Sequence, residues 1–316
     1  MKNFWQERRV LITGSAGFLG CWLANKLSEN EAKIVGLDIE IKPKSNFHLF
    51  NLRKKINQLR VDVTNYALVK KTFRKYDPEI VFHLAAQPLV TEANKNPLPT
   101  FENNIKGTWN VLEAARNSKS IQALIVASSD KAYGIHEKLP YTEDARLQGS
   151  YPYDVSKSAQ DLIAQAYHKT YGLPIGITRS GNFYGGGDLY FDRIVPGTIK
   201  SLLFDEQPII RSDGKYIRDY IYIKDITNAY LLLAKKLTHF KGHAFNFSDE
   251  NPLDVLTMVR LITKLMGKLH IKPKILNIAK SEIKKQYLSS RKARELLGWQ
   301  PKYSVKEGLA EAIDWY

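Results

Sequence analysis

The sequence is poor in sulfur, with one cysteine and three methionines in 316 residues. A single thiol closes no internal disulfide, so nothing points to an oxidising compartment. Cys21 stands beside Trp22 and Leu23 in a helical pattern, where a buried thiol is expected rather than a nucleophile. Long apolar runs are also missing: none approaches the ~18–20 residues of a membrane span. The stretch from Met1 to Arg9 is polar and has no apolar signal core. A cytoplasmic protein without a membrane partner is the expectation. The seven histidines form no ligand set. His239 and His243 have helical spacing, but Gly242 lies between them and the further ligands a zinc site requires are absent. No metal is expected, and His83, inside an apolar strand, reads as a satisfied core residue.

Acidic residues are the minority charge, 32 against 47 Lys and Arg, for a formal net charge of +15. Nucleic-acid binding would call for clustered cations or a recognisable module. Here the basic residues are spread along the chain, and the densest runs are Arg53-Lys54-Lys55 and Lys284-Lys285. Zinc-finger spacing, a basic zipper and an aromatic stacking signature are all lacking. The excess therefore reads as a basic host for a small anionic ligand, with much of it simply solvated, and no nucleic-acid partner is expected.

What is present is an alternation of short apolar strands and helices. Strands are predicted at 9–13, 33–37, 58–61, 79–85, 123–128 and 174–179. Helices are predicted at 18–28, 65–76 (stopped by Asp77-Pro78), 99–117 and 152–171 (closed by Gly172). Such alternation implies right-handed crossovers and a doubly wound parallel α/β sheet of the Rossmann type. After Ser180, glycine, proline and aromatics punctuate shorter segments. We expect a Rossmann domain over 1–180 and a smaller mixed α/β lobe over 181–316. A helix near 225–236, within a segment at about 220–240, returns to the first domain, so the domains are not contiguous.

The segment Gly14-Ser-Ala-Gly17-Phe18-Leu19-Gly20 leaves the first strand and opens the first helix. Glycines there let backbone approach a pyrophosphate, and the helix start offers free N–H groups to it. Asp38 ends the second strand, 18 residues after Gly20. A carboxylate at that place accepts from the adenosine ribose hydroxyls and repels a 2′-phosphate, which predicts NAD rather than NADP. A solvated strand-end acid is the alternative. Asp62-Val63, at the next strand end, reads either as an adenine contact or as an Asx turn.

Tyr153 and Lys157 lie four residues apart on one helix face. A free tyrosine, with a pKa near ~10, is too weak a base at neutral pH. A nearby ammonium and a cationic nicotinamide ring would favour its phenolate, which could then take a proton from a hydroxyl as hydride leaves. Ser129, at the end of the fifth strand, can bond the same oxygen, since strand carboxyl ends carry the site in such sheets.

Together, TGSAGFLG, FHLAAQ, NNIKGT, SSDKAYG and YPYDVSK, with the ending LLGWQP, resemble the extended short-chain dehydrogenase/reductase family of NAD-dependent epimerases and dehydratases. The likeness runs through nearly the whole chain. It implies a nucleoside-diphosphate sugar as substrate and a cofactor role for Gly14, Gly17, Phe18, Leu19, Gly20, Asp38, Asp62, Val63, Leu84, Ala85, Ala86, Tyr153 and Lys157. It implies catalytic roles for Ser129, Tyr153 and Lys157, and substrate contacts at Gln87, Asn182, Arg193 and Arg218. The family also commonly pairs its two long helices across a two-fold axis, which implies a homodimer.

Ser129-Asp130-Lys131 resembles the CDP-glucose 4,6-dehydratases, where dTDP-glucose dehydratases carry Asp-Glu after the hydroxyl and epimerases carry small or neutral residues. Elimination of water across C5–C6 needs a base and an acid, here expected to be Lys131 and Asp130. A solvated loop pair on an epimerase or decarboxylase is the alternative. The stretch from Tyr216 through Arg218-Asp219-Tyr220 to Asp225 departs from the CDP-glucose enzymes and matches the wider family, which leaves the nucleotide and sugar open. Arg218 suits phosphate oxygens bidentately. Arg193 reads either as a substrate contact or as an ion pair with Asp192.

Overall fold

The structure is a computed structural model that describes residues 3–316. Seven strands make the main sheet: β1 (Arg9–Thr13), β2 (Lys33–Asp38), β3 (Asn57–Arg60), β4 (Ile80–His83), β5 (Ala123–Ala127), β6 (Ile175–Ser180) and β7 (Ala244–Phe247). Their order across the sheet is β7-β6-β5-β4-β1-β2-β3, and the pairs from β3 to β6 are parallel. The order reverses at β1–β4, so the chain winds outward from β1 in both directions, and ligands of such sheets bind at the strand carboxyl ends there. Every residue of β4 and β6 is buried, the polar His83, Thr178, Arg179 and Ser180 included, as strands covered on both faces require. β3, at the edge, exposes Asn57 and Arg60.

The helix boundaries have local causes. Asn65 caps the Tyr66–Tyr76 helix by accepting from the Leu68 N–H, and Asp77 ends it in the left-handed region just before Pro78. Gly172, also left-handed, ends the Pro152–Tyr171 helix. The long helix expected at 99–117 runs from Pro97 to Arg116 and carries a π-turn at Glu102–Lys106. Within that turn the buried Asn104 side chain bonds the Gln87 backbone on both its atoms and reaches Ser156 Oγ at 2.9 Å. Such side-chain bonds fix the wider turn.

The chain divides into two compact units. The first holds residues up to Gly134, Ala145–Arg179 and Thr227–Phe245; the second holds Ile135–Asp144, Ser180–Ile226 and Asn246–Tyr316. A boundary at 180 alone misplaces Ile135–Asp144. Tyr141 in that stretch exchanges backbone bonds with Tyr287 and Ser289 of the second unit and accepts from Asn246. The returning helix spans Ile223–Lys236.

The second unit is built from two-stranded pairs: Asn182–Tyr184 with Tyr220–Tyr222, Ile217–Arg218 with Leu253–Asp254, and Ile209–Ile210 with Lys274–Ile275. Its last helix, Val305–Trp315, starts at a capping box of Ser304 and Glu307. Among the described residues no helix is long and apolar enough to cross a membrane.

Candidate active site

The glycine turn follows β1 directly. Gly14 has φ +72°, a conformation that disfavours other residues, and a Cβ at Gly20 would stand 2.0 Å from the Gly14 carbonyl oxygen. Backbone packed this closely leaves room for glycine alone. The Phe18–Glu29 helix starts at Gly17, and no side chain caps it. Asp38 Oδ2 accepts from the Ala16 N–H at 2.9 Å, and Oδ1 accepts from Ile39 at 2.8 Å. Burial raises the Asp38 pKa, and these backbone donors oppose the rise. An uncapped helix start, a glycine turn and a carboxylate held beside it fit the pyrophosphate and ribose of a dinucleotide. Phe18 is half-buried and Leu19 is buried.

The strand end next along is arranged differently. Asp62 is exposed, and its Oδ1 accepts from the Thr64 N–H at 2.8 Å, an Asx turn. Val63 is buried in the core against Gly107. Beyond β4, Leu84, Ala85 and Ala86 are half-buried, and the first two donate their N–H groups to Thr13 Oγ1 at 3.1 and 3.2 Å. The Gln87 side chain turns inward, donating to Thr100 Oγ1 at 2.9 Å and to the Leu89 carbonyl, and accepting from the Leu89 N–H.

His83 is fully buried and bonded at both ring nitrogens. Thr108 Oγ1 gives its only proton to the Asn104 carbonyl at 2.6 Å, so His83 Nε2 is the donor in the 2.9 Å bond to Thr108. Nδ1 then accepts from Thr13 Oγ1 at 2.8 Å. Burial, with the Lys157 charge behind it, lowers the His83 pKa to about 3, so the ring is neutral.

At the end of β5 the chain makes a single 3₁₀ turn, Asp130–Tyr133. Ser129 Oγ donates to Asp130 Oδ1 at 3.0 Å and accepts from the Lys131 N–H at 3.2 Å. Asp130 is buried at 4% exposure, and Lys131 is half-buried. Tyr153 and Lys157 are both buried in the Pro152–Tyr171 helix. Lys157 Nζ donates to the Ala127 carbonyl, the last residue of β5, at 2.9 Å, and to Gln160 Oε1 at 2.8 Å. The Lys157–Ala127 bond thus ties the helix to the strand whose end carries Ser129. Burial lowers the Lys157 pKa to about 8. Spacing in the sequence points to Tyr153 and Lys157; Gln160, three residues on, carries the same signal but no motif.

Asp161, the neighbour of Gln160, is fully buried and gripped through both oxygens by Arg179 of β6 at 2.8 and 3.0 Å. Arg179 also donates to Tyr133 Oη at 2.9 Å. Cys21 is buried, and its thiol is pushed up to about 12, which makes it inert.

In the second unit, Asn182 is exposed and its N–H donates to the Asp219 carbonyl at 2.8 Å. Arg218 is buried; it donates to the Ile217 carbonyl at 3.0 Å and lies 3.6 Å from Glu282. Arg193 pairs with the fully buried Asp188 at 3.1 Å, not with Asp192, and lies over the Tyr190 ring. Asp188 sits on the glycine-rich bend before the helix, five residues back from Arg193, so an adjacent-residue pair misses it.

A family model described as GDP-mannose 4,6 dehydratase matches residues 11–312. The CDP-glucose 4,6-dehydratase of Salmonella typhimurium is 30% identical, over all of this chain and 92% of its own. The UDP-glucose 4-epimerase of Thermotoga maritima, solved with UDP-glucose, superposes with a TM-score of 0.90 at 29% identity and 97% coverage of each chain. The dTDP-glucose 4,6-dehydratase of Bacillus anthracis, solved with NAD, gives a TM-score of 0.87 at 25% identity, covering 98% of this chain and 96% of that one. With a glycine turn, a strand-end hydroxyl and a buried Tyr–Lys pair all in place on a doubly wound sheet, the chain belongs to the extended short-chain dehydrogenase/reductase family of nucleotide-sugar dehydratases and epimerases.

Proposed function

We propose that the chain is an NAD-dependent nucleotide-sugar 4,6-dehydratase that yields a 4-keto-6-deoxyhexose. The observation that carries this reading is the buried carboxyl of Asp130, bonded to Ser129 Oγ at the end of β5. A solvated loop pair would leave that carboxyl in water. The likeness to a CDP-glucose 4,6-dehydratase over the full chain supports the same reading.

Gly14, Gly17, Gly20 and the start of the Phe18–Glu29 helix hold the pyrophosphate, and Asp38 selects NAD by its charge. Bound NAD supplies the hydride chemistry, as acceptor from C4 and donor to C6. Tyr153 takes the proton of the C4 hydroxyl, Ser129 turns its hydroxyl from Asp130 to donate to the same oxygen, and Lys157 supports the phenolate with its charge. The C4 carbonyl acidifies the C5 proton, which Lys131 removes. Asp130, in its protonated form, gives a proton to the departing C6 hydroxyl, water leaves, and Lys131 returns its proton to C5 as hydride is added at C6. Arg218 contributes to the diphosphate contact, with Asn182, Arg193 and Gln87 as further substrate residues. The exposed Trp109 (43%) and Leu162 (52%) on the two long helices support a homodimer formed through those helices. Monomeric mass in light scattering at micromolar concentration would count against it. A cytoplasmic location accords with this chemistry.

The test is mass spectrometry of the purified protein with NAD and a panel of CDP-, dTDP-, UDP- and GDP-hexoses. Loss of one water from a panel member is expected and names the nucleotide. Lys131→Ala should retain C4 oxidation and lose elimination; undiminished elimination would remove Lys131 from the mechanism. The second reading, a 4-epimerase, is favoured by the likeness to UDP-glucose 4-epimerase. A panel member that changes chromatographic position at constant mass would establish it instead.

A further inference from the structure

Lys157 is a buried ammonium whose two bonded acceptors are both neutral, the Ala127 carbonyl and the Gln160 amide oxygen. A buried cation must have acceptors or lose its proton. A carboxylate would meet that need and cancel the charge. One carboxylate stands close enough to matter: the charge of Asp161, on the same helix, reaches Lys157. Arg179 of β6 holds that carboxylate through both oxygens, so its charge is already matched. From β4, His83 faces Lys157 with a neutral ring, both nitrogens bonded. Tyr153 lies one turn back on the same helix, and Tyr230 of the Ile223–Lys236 helix interacts with it. The surroundings of Lys157 therefore supply hydrogen bonds from neutral groups, and Asp161, itself held by Arg179, opposes the ammonium charge only in part.

We propose that Gln160 is a positioning residue for the reaction, whose amide oxygen fixes Lys157 Nζ at the end of β5 without adding a negative charge beside the ammonium that acts on Tyr153. The proposal rests on the reading of Tyr153 and Lys157 as the catalytic pair. Glutamate at 160 would keep the bond and cancel the charge. Methionine would fill the space and remove the bond. The methionine change is the discriminating one: a purely space-filling Gln160 would leave the lysine unmoved by it, whereas loss of the bond favours the neutral amine.

The experiment is an NMR titration of the Lys157 side chain in the full chain labelled with ¹³C-lysine, the signal assigned by its loss in Lys157→Met. The wild-type midpoint is expected near about 8. Gln160→Glu should raise it by about one unit or more, and Gln160→Met should lower it. A Gln160→Met midpoint that stays with the wild type overturns the proposal, whatever Gln160→Glu does. If Gln160→Glu does not fold, the direction of the Gln160→Met shift decides alone. The pH profile of C4 oxidation supplies the second readout: in Gln160→Glu its acid limb should move to higher pH by about one unit, as the phenolate loses support. An acid limb that stays in place while the Lys157 midpoint rises overturns the link to Tyr153. The titration needs no turnover, so inactivity of the wild type on every nucleotide sugar would sink the functional reading and leave the Gln160 result standing.

Discussion

In the first unit the ionisable groups at the sheet meet fixed partners: His83 at two threonines, Asp161 at Arg179, Lys157 at two neutral oxygens. In the second, burial falls on acids and phenols, and backbone N–H groups answer the acids: Asp225 accepts from Lys302 and Tyr303, and Asp249 from Asn251. Burial raises the pKa of both Asp225 and Asp249, Asp249 to about 6. Tyr220 Oη has no hydrogen-bond partner among the described residues. Charge divides the same way. The first unit holds 27 Lys and Arg against 14 Asp and Glu, the second 20 against 18. Long parallel pairing brings residues far apart in sequence into a fixed arrangement, which suits reaction chemistry. Two- and three-residue strand pairs leave more of the chain to loops, which suits recognition.

The comparison predicts that damage in the first unit falls on turnover and damage in the second on substrate binding. The largest effect is expected for Tyr153→Phe: C4 oxidation should drop roughly 10²–10⁴-fold with an unchanged melting temperature. An Arg218→Ala loss of kcat as large as this would break the comparison. Arg218→Ala should instead raise KM about tenfold or more while kcat stays near wild type, as loss of a charge-assisted contact made equally in ground and transition states requires. Gly20→Ala should cost about 1–3 kcal/mol in calorimetry, because its methyl meets the Gly14 carbonyl oxygen, and should weaken dinucleotide binding in titration.

The smallest and sharpest test is the sign of the pH dependence. An unfolded imidazole titrates near 6.5 and His83 near 3. Between those values the unfolded chain binds the extra proton, so this stabilisation is present above 6.5 and is lost as pH falls. His83→Gln should therefore lessen the drop in melting temperature between pH 7 and pH 5. Asp249 runs the other way. Its carboxyl titrates near 3.8 unfolded and near 6 folded, so the folded chain binds the extra proton and stability falls as pH rises through that window. Asp249→Asn should raise the melting temperature by a few degrees (roughly 2–4 °C) at pH 7 and by less at pH 4. Equal slopes for the two sites would erase the distinction between the units.

The alternation of strands and helices, the glycine turn and the Tyr153–Lys157 pair are legible because each follows from local period or spacing. The helix stops at Asp77 and Gly172 are legible for the same reason. What escapes has long-range causes. β7 pairs beside β6, and Tyr141 finds Tyr287, across separations that no local pattern records. Arg193 takes Asp188 because the glycine bend folds that acid inward, and the bonds of Gln87 to Thr100 and Leu89 are set by the fold in the same way. Asp62 could be read either way until its bond to Thr64 appeared. Gln160 stood in plain view at the right spacing, but a glutamine on a helix announces nothing until its lysine is known to be buried.

The π-turn at Glu102–Lys106 acts as a phase shifter in the long helix. One extra residue in a turn rotates everything beyond it by about 100° relative to a straight α-helix. The turn thus sets which side chains after Gly107 face the sheet, Thr108 among them. Deleting a single residue from 102–106 would leave a regular helix of nearly the same length, with an unchanged circular-dichroism signal. Because the deletion removes the very residue that the wider turn absorbs, Thr108 would keep its place against His83; straightening the turn with every residue kept would instead swing Thr108 away and free the imidazole to change tautomer, an injury to the site that the helix itself would not register.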